Sequence, residues 1–153
     1  MSVKAVPQPL ELLLVEDSAV DIKLTRRALR GLFVDSARGG TQPLQLNLHV
    51  AINGMEAMTF LRNPDKPTPH LVLLDIKMPL MNGWEVLAAM KSDEALRRIP
   101  VVILTTSNDD EDIFRSRDLH ANGYVIKPVP RAHFEQAIES INKFWIQTQA
   151  HPG

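Results

Sequence analysis

Cysteine is absent from the 153 residues. That excludes disulfides and thiolate metal sites, and it fits a reducing compartment without requiring one. Charge of one sign is also lacking, with 17 Lys and Arg mixed among 18 Asp and Glu. Composition therefore carries no electrostatic footprint for nucleic acid or an anionic membrane. No segment is apolar for long enough to span a bilayer, and the opening MSVKAVPQPLE lacks the apolar stretch of a signal peptide. A soluble, cytoplasmic protein is the expectation. The 5 histidines show no ligand spacing. Beyond Gln147 only TQAHPG follows, and no output domain is expected.

What is present suits one compact domain, since 44% of the chain is hydrophobic. Residues 10–148 are expected to form it, with 1–9 a flexible lead and 149–153 a short tail. ELLLV reads as a buried strand. From Ser18, a fitting N-cap with Asp21 in the first turn, Val20, Leu24, Ala28 and Leu32 recur at spacing four and predict a helix. FVDSARGGTQP reads as a loop. LQLNLHVA alternates Leu44, Leu46, Leu48 and Val50 with polar residues, the pattern of a strand with one better-buried face or at a sheet edge. Asn53-Gly54 could turn a hairpin, but Met55, Met58 and Leu61 follow at helical spacing and favour a helix. HLVLLD, IPVVILTT and GYVIKP are three more short apolar strands. NGWEVLAAMKSD predicts a helix between the first two, and NDDED opens another that runs to about Leu119. Phe134, Ala137, Ile138, Ile141 and Trp145 mark a last amphipathic helix. Five strands alternating with five helices imply an α/β fold, a doubly wound five-stranded parallel sheet with helices on both faces.

Ligands of such sheets sit beyond the carboxyl ends of the strands, where strand order reverses. The residues ending the apolar runs are Glu16 and Asp17, Asp75, Thr105 and Thr106, and Lys127. Two carboxylates about 4 Å apart repel by roughly 4 kcal/mol at an effective dielectric of about 20, so three of them require a cation. Oxygen-only donors favour a hard ion, and a small carboxylate set that leaves room for water and phosphate oxygens favours Mg2+ over Ca2+. A metal and a lysine in an acidic cleft suit phosphoryl chemistry, with an aspartate as nucleophile. Asp75 is the central candidate, because apolar residues line its strand throughout. Thr106 is simpler to read as a β-branched strand residue, and the methionines as packing.

LLLVEDS, LVLLDIKMPLMNGWEVL, IPVVILTTS and GYVIKP, in this order over nearly the whole chain, resemble the receiver domain of two-component response regulators, the CheY-like phosphoacceptor fold. The resemblance implies that Asp75 accepts a phosphoryl group from the phosphohistidine of a sensor histidine kinase. It implies further that Glu16 and Asp17 hold Mg2+ directly or through water, and that the backbone carbonyl of Lys77 completes the metal site. Thr105 and Lys127 would contact the phosphoryl oxygens, and the peptide joining Lys127 to Pro128 would be cis, a geometry that X-Pro bonds adopt at little cost. VEDSAVDIKLTRRAL, LTTSNDDEDI, DLHANGY and the closing FW are similar to the small stand-alone receivers that serve phytochrome-type kinases. This implies a light-sensing kinase as partner, Tyr124 as an aromatic switch residue, and a homodimer built on the fourth and fifth helices with the fifth sheet strand. Phe144 and Trp145 are adjacent and cannot both face inward, which also favours an interface there.

Other readings share parts of this pattern. A Mg2+-dependent aspartyl phosphohydrolase of the haloacid dehalogenase type would need Asp-x-Asp, yet Lys77 stands two places after Asp75. A flavodoxin-like FMN binder would need a hydroxyl- or glycine-rich loop where VEDSA is acidic. A phosphorelay sink without output remains compatible. Lys77 is expected to act through its carbonyl, while its side chain would slow hydrolysis by obstructing water.

Overall fold

The computed structural model describes residues 9–35, 39–105, 112, 115, 117–127 and 134–136. In chain order the elements are strand β1 (Leu10–Val15), helix α1 (Ala19–Arg30), strands β2 (Phe33–Asp35), β3 (Thr41–Pro43) and β4 (Leu46–Ala51), helix α2 (Gly54–Arg62), strand β5 (Leu71–Asp75), helix α3 (Gly83–Lys91), and strands β6 (Val101–Thr105) and β7 (Gly123–Ile126). Five strands form one parallel sheet in the order β4-β1-β5-β6-β7. The five-stranded parallel architecture read from the sequence is the one observed.

Alternation along each central strand divides the core in two. Leu13, Val15, Val72, Leu74, Val101 and Ile103 point to one face, where α2 supplies Ala57 and Met58 and α3 supplies Trp84, Leu87 and Met90. Leu12, Leu14, Leu71, Leu73, Val102 and Leu104 point to the other, against Leu29 of α1, Leu32 and Phe134. Helices thus cover both faces, which is why β5 and β6 are apolar up to their last residue and β1 is apolar from Leu12 to Val15. Burying each such side chain contributes roughly 1.5–3 kcal/mol. Among the described residues, no helix is long and apolar enough to cross a membrane.

Capping chemistry fixes the helix starts. Ser18 accepts the Asp21 N–H on α1, Asn53 accepts the Glu56 N–H on α2, and Asn82 accepts the Glu85 N–H on α3. Asn53-Gly54 therefore opens a helix and turns no hairpin, and β4 lies at the sheet edge as its alternation suggests. Two details differ from the sequence reading. Residues read as one loop contain the antiparallel pair β2-β3, joined from Phe33–Pro43 to Asp35–Thr41. On α1, Val20 and Leu24 are 67% and 53% exposed, while Thr25 and Leu29 are buried. At 3.6 residues per turn, each step of four overshoots by about 40°, so a strict spacing-four stripe winds off the buried face.

Candidate functional site

β1 ends against β4 on one side and β5 on the other, with Leu14 beside both Val50 and Leu73. The connection after β1 leads to one side, and the chain then crosses back to continue on the other. This is the reversal point of the sheet, and the carboxyl ends of β1 and β5 flank the crevice. Glu16, Asp17 and Asp75 meet there, each with a carboxylate oxygen within 4.8 Å of the others. Glu16 and Asp75 are buried and Asp17 is exposed.

Lys127 reaches the same point from the end of β7. Its backbone N–H donates to the Thr105 carbonyl at 2.7 Å, which extends the β6-β7 ladder by one residue and aims the side chain inward. The Lys127 ammonium hydrogen-bonds Glu16 Oε1 and Asp21 Oδ2, the latter at 3.0 Å, and lies 3.7 Å from Asp75 Oδ1. Burial works against this ammonium, yet the hydrogen bonds to Glu16 and Asp21 and the charges of Asp75 and Glu16 hold its pKa above the ordinary value. Thr105 is buried at the end of β6. Tyr124, half-buried, packs against the cluster on the α2 and α3 side of the sheet.

Asp75 is only 7% exposed, and its Oδ1 accepts the N–H of Ile76 at 2.9 Å. Burial first, and the charge of Glu16 second, push its pKa up to about 7, against the opposing pull of Lys127. One lysine therefore does not compensate three acids. An additional cation fits, and a donor set of carboxylate oxygens alone suits a hard divalent ion.

The chain after Asp75 is held tightly. Leu80 has φ 68° and is bracketed by a hydrogen bond from Met81 N–H to the Pro79 carbonyl, a γ-turn. Strained backbone of this kind persists where surrounding structure imposes it. Here Gly83 N–H donates to the Ile76 carbonyl at 2.9 Å, and Gly54 N–H to the Met81 carbonyl at 3.2 Å. A Cβ on Gly83 would stand 2.3 Å from the Asp75 carbonyl oxygen. Only glycine lets α3 start so close to the acid. Lys77 is exposed in this turn.

Glu16, Asp17, Asp75, Thr105 and Lys127 thus gather at one end of the sheet as the sequence implies. Pro128 with its expected cis bond, Thr106, Phe144, Trp145 and most of the last two helices lie outside the described residues. His49 and His70 belong elsewhere: His49 Nε2 is 2.6 Å from Glu11 Oε2, and His70 Nδ1 accepts the Glu11 N–H at 2.9 Å. Glu11 lies near the start of β1, away from the strand ends that form the site. Sequence reading missed two residues of the site, Asp21 and Gly83. The former was legible only as a first-turn charge, because its partner is 106 positions away.

Fold and strand-end acids together define a class of phosphoacceptor proteins. The chain belongs to the response regulator receiver domain family, whose family model matches residues 12–139. It is a response regulator of a two-component system, and receivers of this family bind a divalent metal ion. Response regulator Rcp1 of Synechocystis sp. is 35% identical over 148 residues, 94% of each chain. The structure of its Mn(2+)-bound form matches with a TM-score of 0.64 at 35% identity, over 92% of this chain and 96% of that one. Phosphorylated RcpA, a cyanobacterial phytochrome response regulator, is 38% identical with a TM-score of 0.69, over 91% and 95% of the two chains. The bacteriophytochrome response regulator AtBRR is 37% identical with a TM-score of 0.73, over 91% and 96%.

Proposed function

We propose that the protein receives a phosphoryl group on Asp75 from the phosphohistidine of a sensor histidine kinase, with Mg2+ as its metal, and signals by protein-protein contact. The observation that carries this reading is Asp75 itself, a carboxylate ending a fully buried strand and pushed up to about 7. An acid so placed is a candidate functional group on physical grounds. In the transfer, an Asp75 oxygen attacks phosphorus while the phosphorus-nitrogen bond to the donor breaks, its electron pair leaving with the imidazole nitrogen. Held by Asp17, Asp75, the Lys77 carbonyl and Glu16, the last directly or through water, Mg2+ would neutralise the carboxylates and the incoming phosphoryl oxygens. Lys127 supplies a further positive charge to those oxygens, and the Thr105 hydroxyl supplies a donor.

Both oxygens of Glu16 are engaged, Oε1 by Lys127 and Oε2 by the Ser18 N–H at 3.2 Å. That favours contact with the ion through water. Tyr124, one strand from Thr105, is the residue through which occupancy of the site would alter the outer surface. The kinase proposed is of the phytochrome type, since RcpA and AtBRR, which this chain matches over nearly their whole length, are named for phytochromes. A cytoplasmic location follows from that partner. The proposed homodimer face comprises β7 and the last two helices, of which β7 carries the exposed Ile126. A monodisperse monomer with and without phosphorylation would contradict it. The phosphoryl group is then lost by hydrolysis that the site itself catalyses, without turnover of an external substrate. Phosphotransfer from purified kinases, timed at short intervals, tests the reading: wild type gains label and Asp75→Asn gains none. Equal labelling of both would overturn it.

A further inference from the structure

We propose that Asp21 is a positioning residue for Lys127, an inference that rests on the phosphoacceptor reading of Asp75. The ammonium has three protons. Glu16 takes one, Asp21 takes another at 3.0 Å, and Asp75 Oδ1 stands at 3.7 Å, beyond hydrogen-bond reach. Two legs are fixed, and the third donor is left for the acceptor.

Helix capping does not account for Asp21. It occupies the third position of α1 after the Ser18 cap, where a carboxylate ordinarily reaches back to the N–H of the capping residue. Helix α3 does this, with Asn82 N–H donating to Glu85 Oε1 at 3.2 Å. On α1 the corresponding N–H, that of Ser18, donates instead to Glu16 Oε2. Asp21 is thereby free of the cap and turns to Lys127, tying the start of α1 to the residue that follows β7.

The arrangement has a chemical consequence. A direct hydrogen bond from Lys127 to Asp75 would occupy a lone pair of the nucleophile and stabilise the ground state, which raises the barrier to attack. Held by Glu16 and Asp21, the ammonium stays 3.7 Å from Asp75 Oδ1 and makes no direct hydrogen bond to it. Once a phosphoryl group extends from Asp75, its oxygens come toward the third proton. Asp21 thus favours the reaction without touching the reacting atoms.

A double-mutant cycle tests this on the full chain, with acetyl phosphate as donor and the maximal rate and half-saturating concentration measured separately. Asp21→Ala is expected to lower the maximal rate about tenfold and to change half-saturation less than about twofold. Asp21→Asn, which keeps an acceptor oxygen, recovers part of the rate. In a Lys127→Met background Asp21→Ala changes the rate less than about twofold. The same factor in both backgrounds, or no effect in the wild-type background, overturns the proposal. The Lys127 side-chain ammonium resonance of the metal-free protein gives a readout independent of turnover. It shifts or broadens in Asp21→Ala and is restored in Asp21→Asn; a resonance identical in wild type and Asp21→Ala also overturns the proposal. Failure of the phosphoacceptor reading is distinguishable, because Asp75→Asn would then be labelled like wild type.

Discussion

Replacing Asp75 by asparagine should stabilise the metal-free protein, although it removes the proposed acceptor. The acid is buried beside Glu16, and its pKa rises from 3.8 to about 7. Between those values the folded chain keeps a proton on Asp75 that the unfolded chain has released, so stability falls as pH rises through this window. Above it the carboxylate is ionised in both states, and the full penalty applies. A rise of roughly three pKa units, at about 1.4 kcal/mol each, sets an upper figure of about 4 kcal/mol. Relaxation of Lys127 toward Asp75 lowers the expectation to about 2–4 kcal/mol. Asparagine keeps the shape and loses the charge, so it avoids this cost. For a chain of this size the gain corresponds to roughly 5–15 °C in Tm. Thermal melts in EDTA at about pH 8 should show the variant as the more stable, and at about pH 4.5 the difference should shrink to about 1 kcal/mol or less. A variant no more stable than wild type at the higher pH, or a gap independent of pH, would refute the assignment of the penalty to this carboxylate.

Mg2+ should largely close that gap, since at a hundred times its Kd a ligand contributes about 2.7 kcal/mol to the state that binds it. The melting shift should appear in wild type, largely vanish in Asp17→Asn and Asp75→Asn, and weaken as pH falls through about 7, where protons compete for the Asp75 oxygen. Gly83→Ala forces a Cβ against the Asp75 carbonyl and should cost about 1–3 kcal/mol in urea unfolding. It should also slow phosphorylation, because the backbone that must yield is that of Asp75 itself. Lys77→Ala should shorten the lifetime of the acyl phosphate, measured by decay of the label after donor removal; an unchanged lifetime would leave the Lys77 side chain without a role.

The sheet was legible because the central strands are apolar on both faces and stop abruptly at a charge or hydroxyl. That pattern located Asp75, Thr105 and the Glu16-Asp17 pair, and with Lys127 it located the crevice. Periodicity was a weaker guide on α1, where spacing four selected the exposed Val20 and Leu24 while the true buried positions, Thr25 and Leu29, lie four apart in a different phase. The β2-β3 pair escaped notice because three-residue strands flanked by Gly and Pro carry too few alternating positions to show a period. Asp21 and Gly83 escaped for another reason. Each is defined by one close approach to a distant segment, a carboxylate to Lys127 and an absent Cβ to Asp75, and local sequence records neither.

Chemical mapping of the phosphoryl group tests the central claim most directly. Wild-type protein labelled by a histidine kinase in Mg2+ is reduced with borohydride, which converts an acyl phosphate to an alcohol, and is then digested for peptide mass spectrometry. The account predicts a single reduced residue at Asp75, lost in EDTA. Reduction at Glu16 or Asp17, or a label on histidine that borohydride leaves intact, would contradict it.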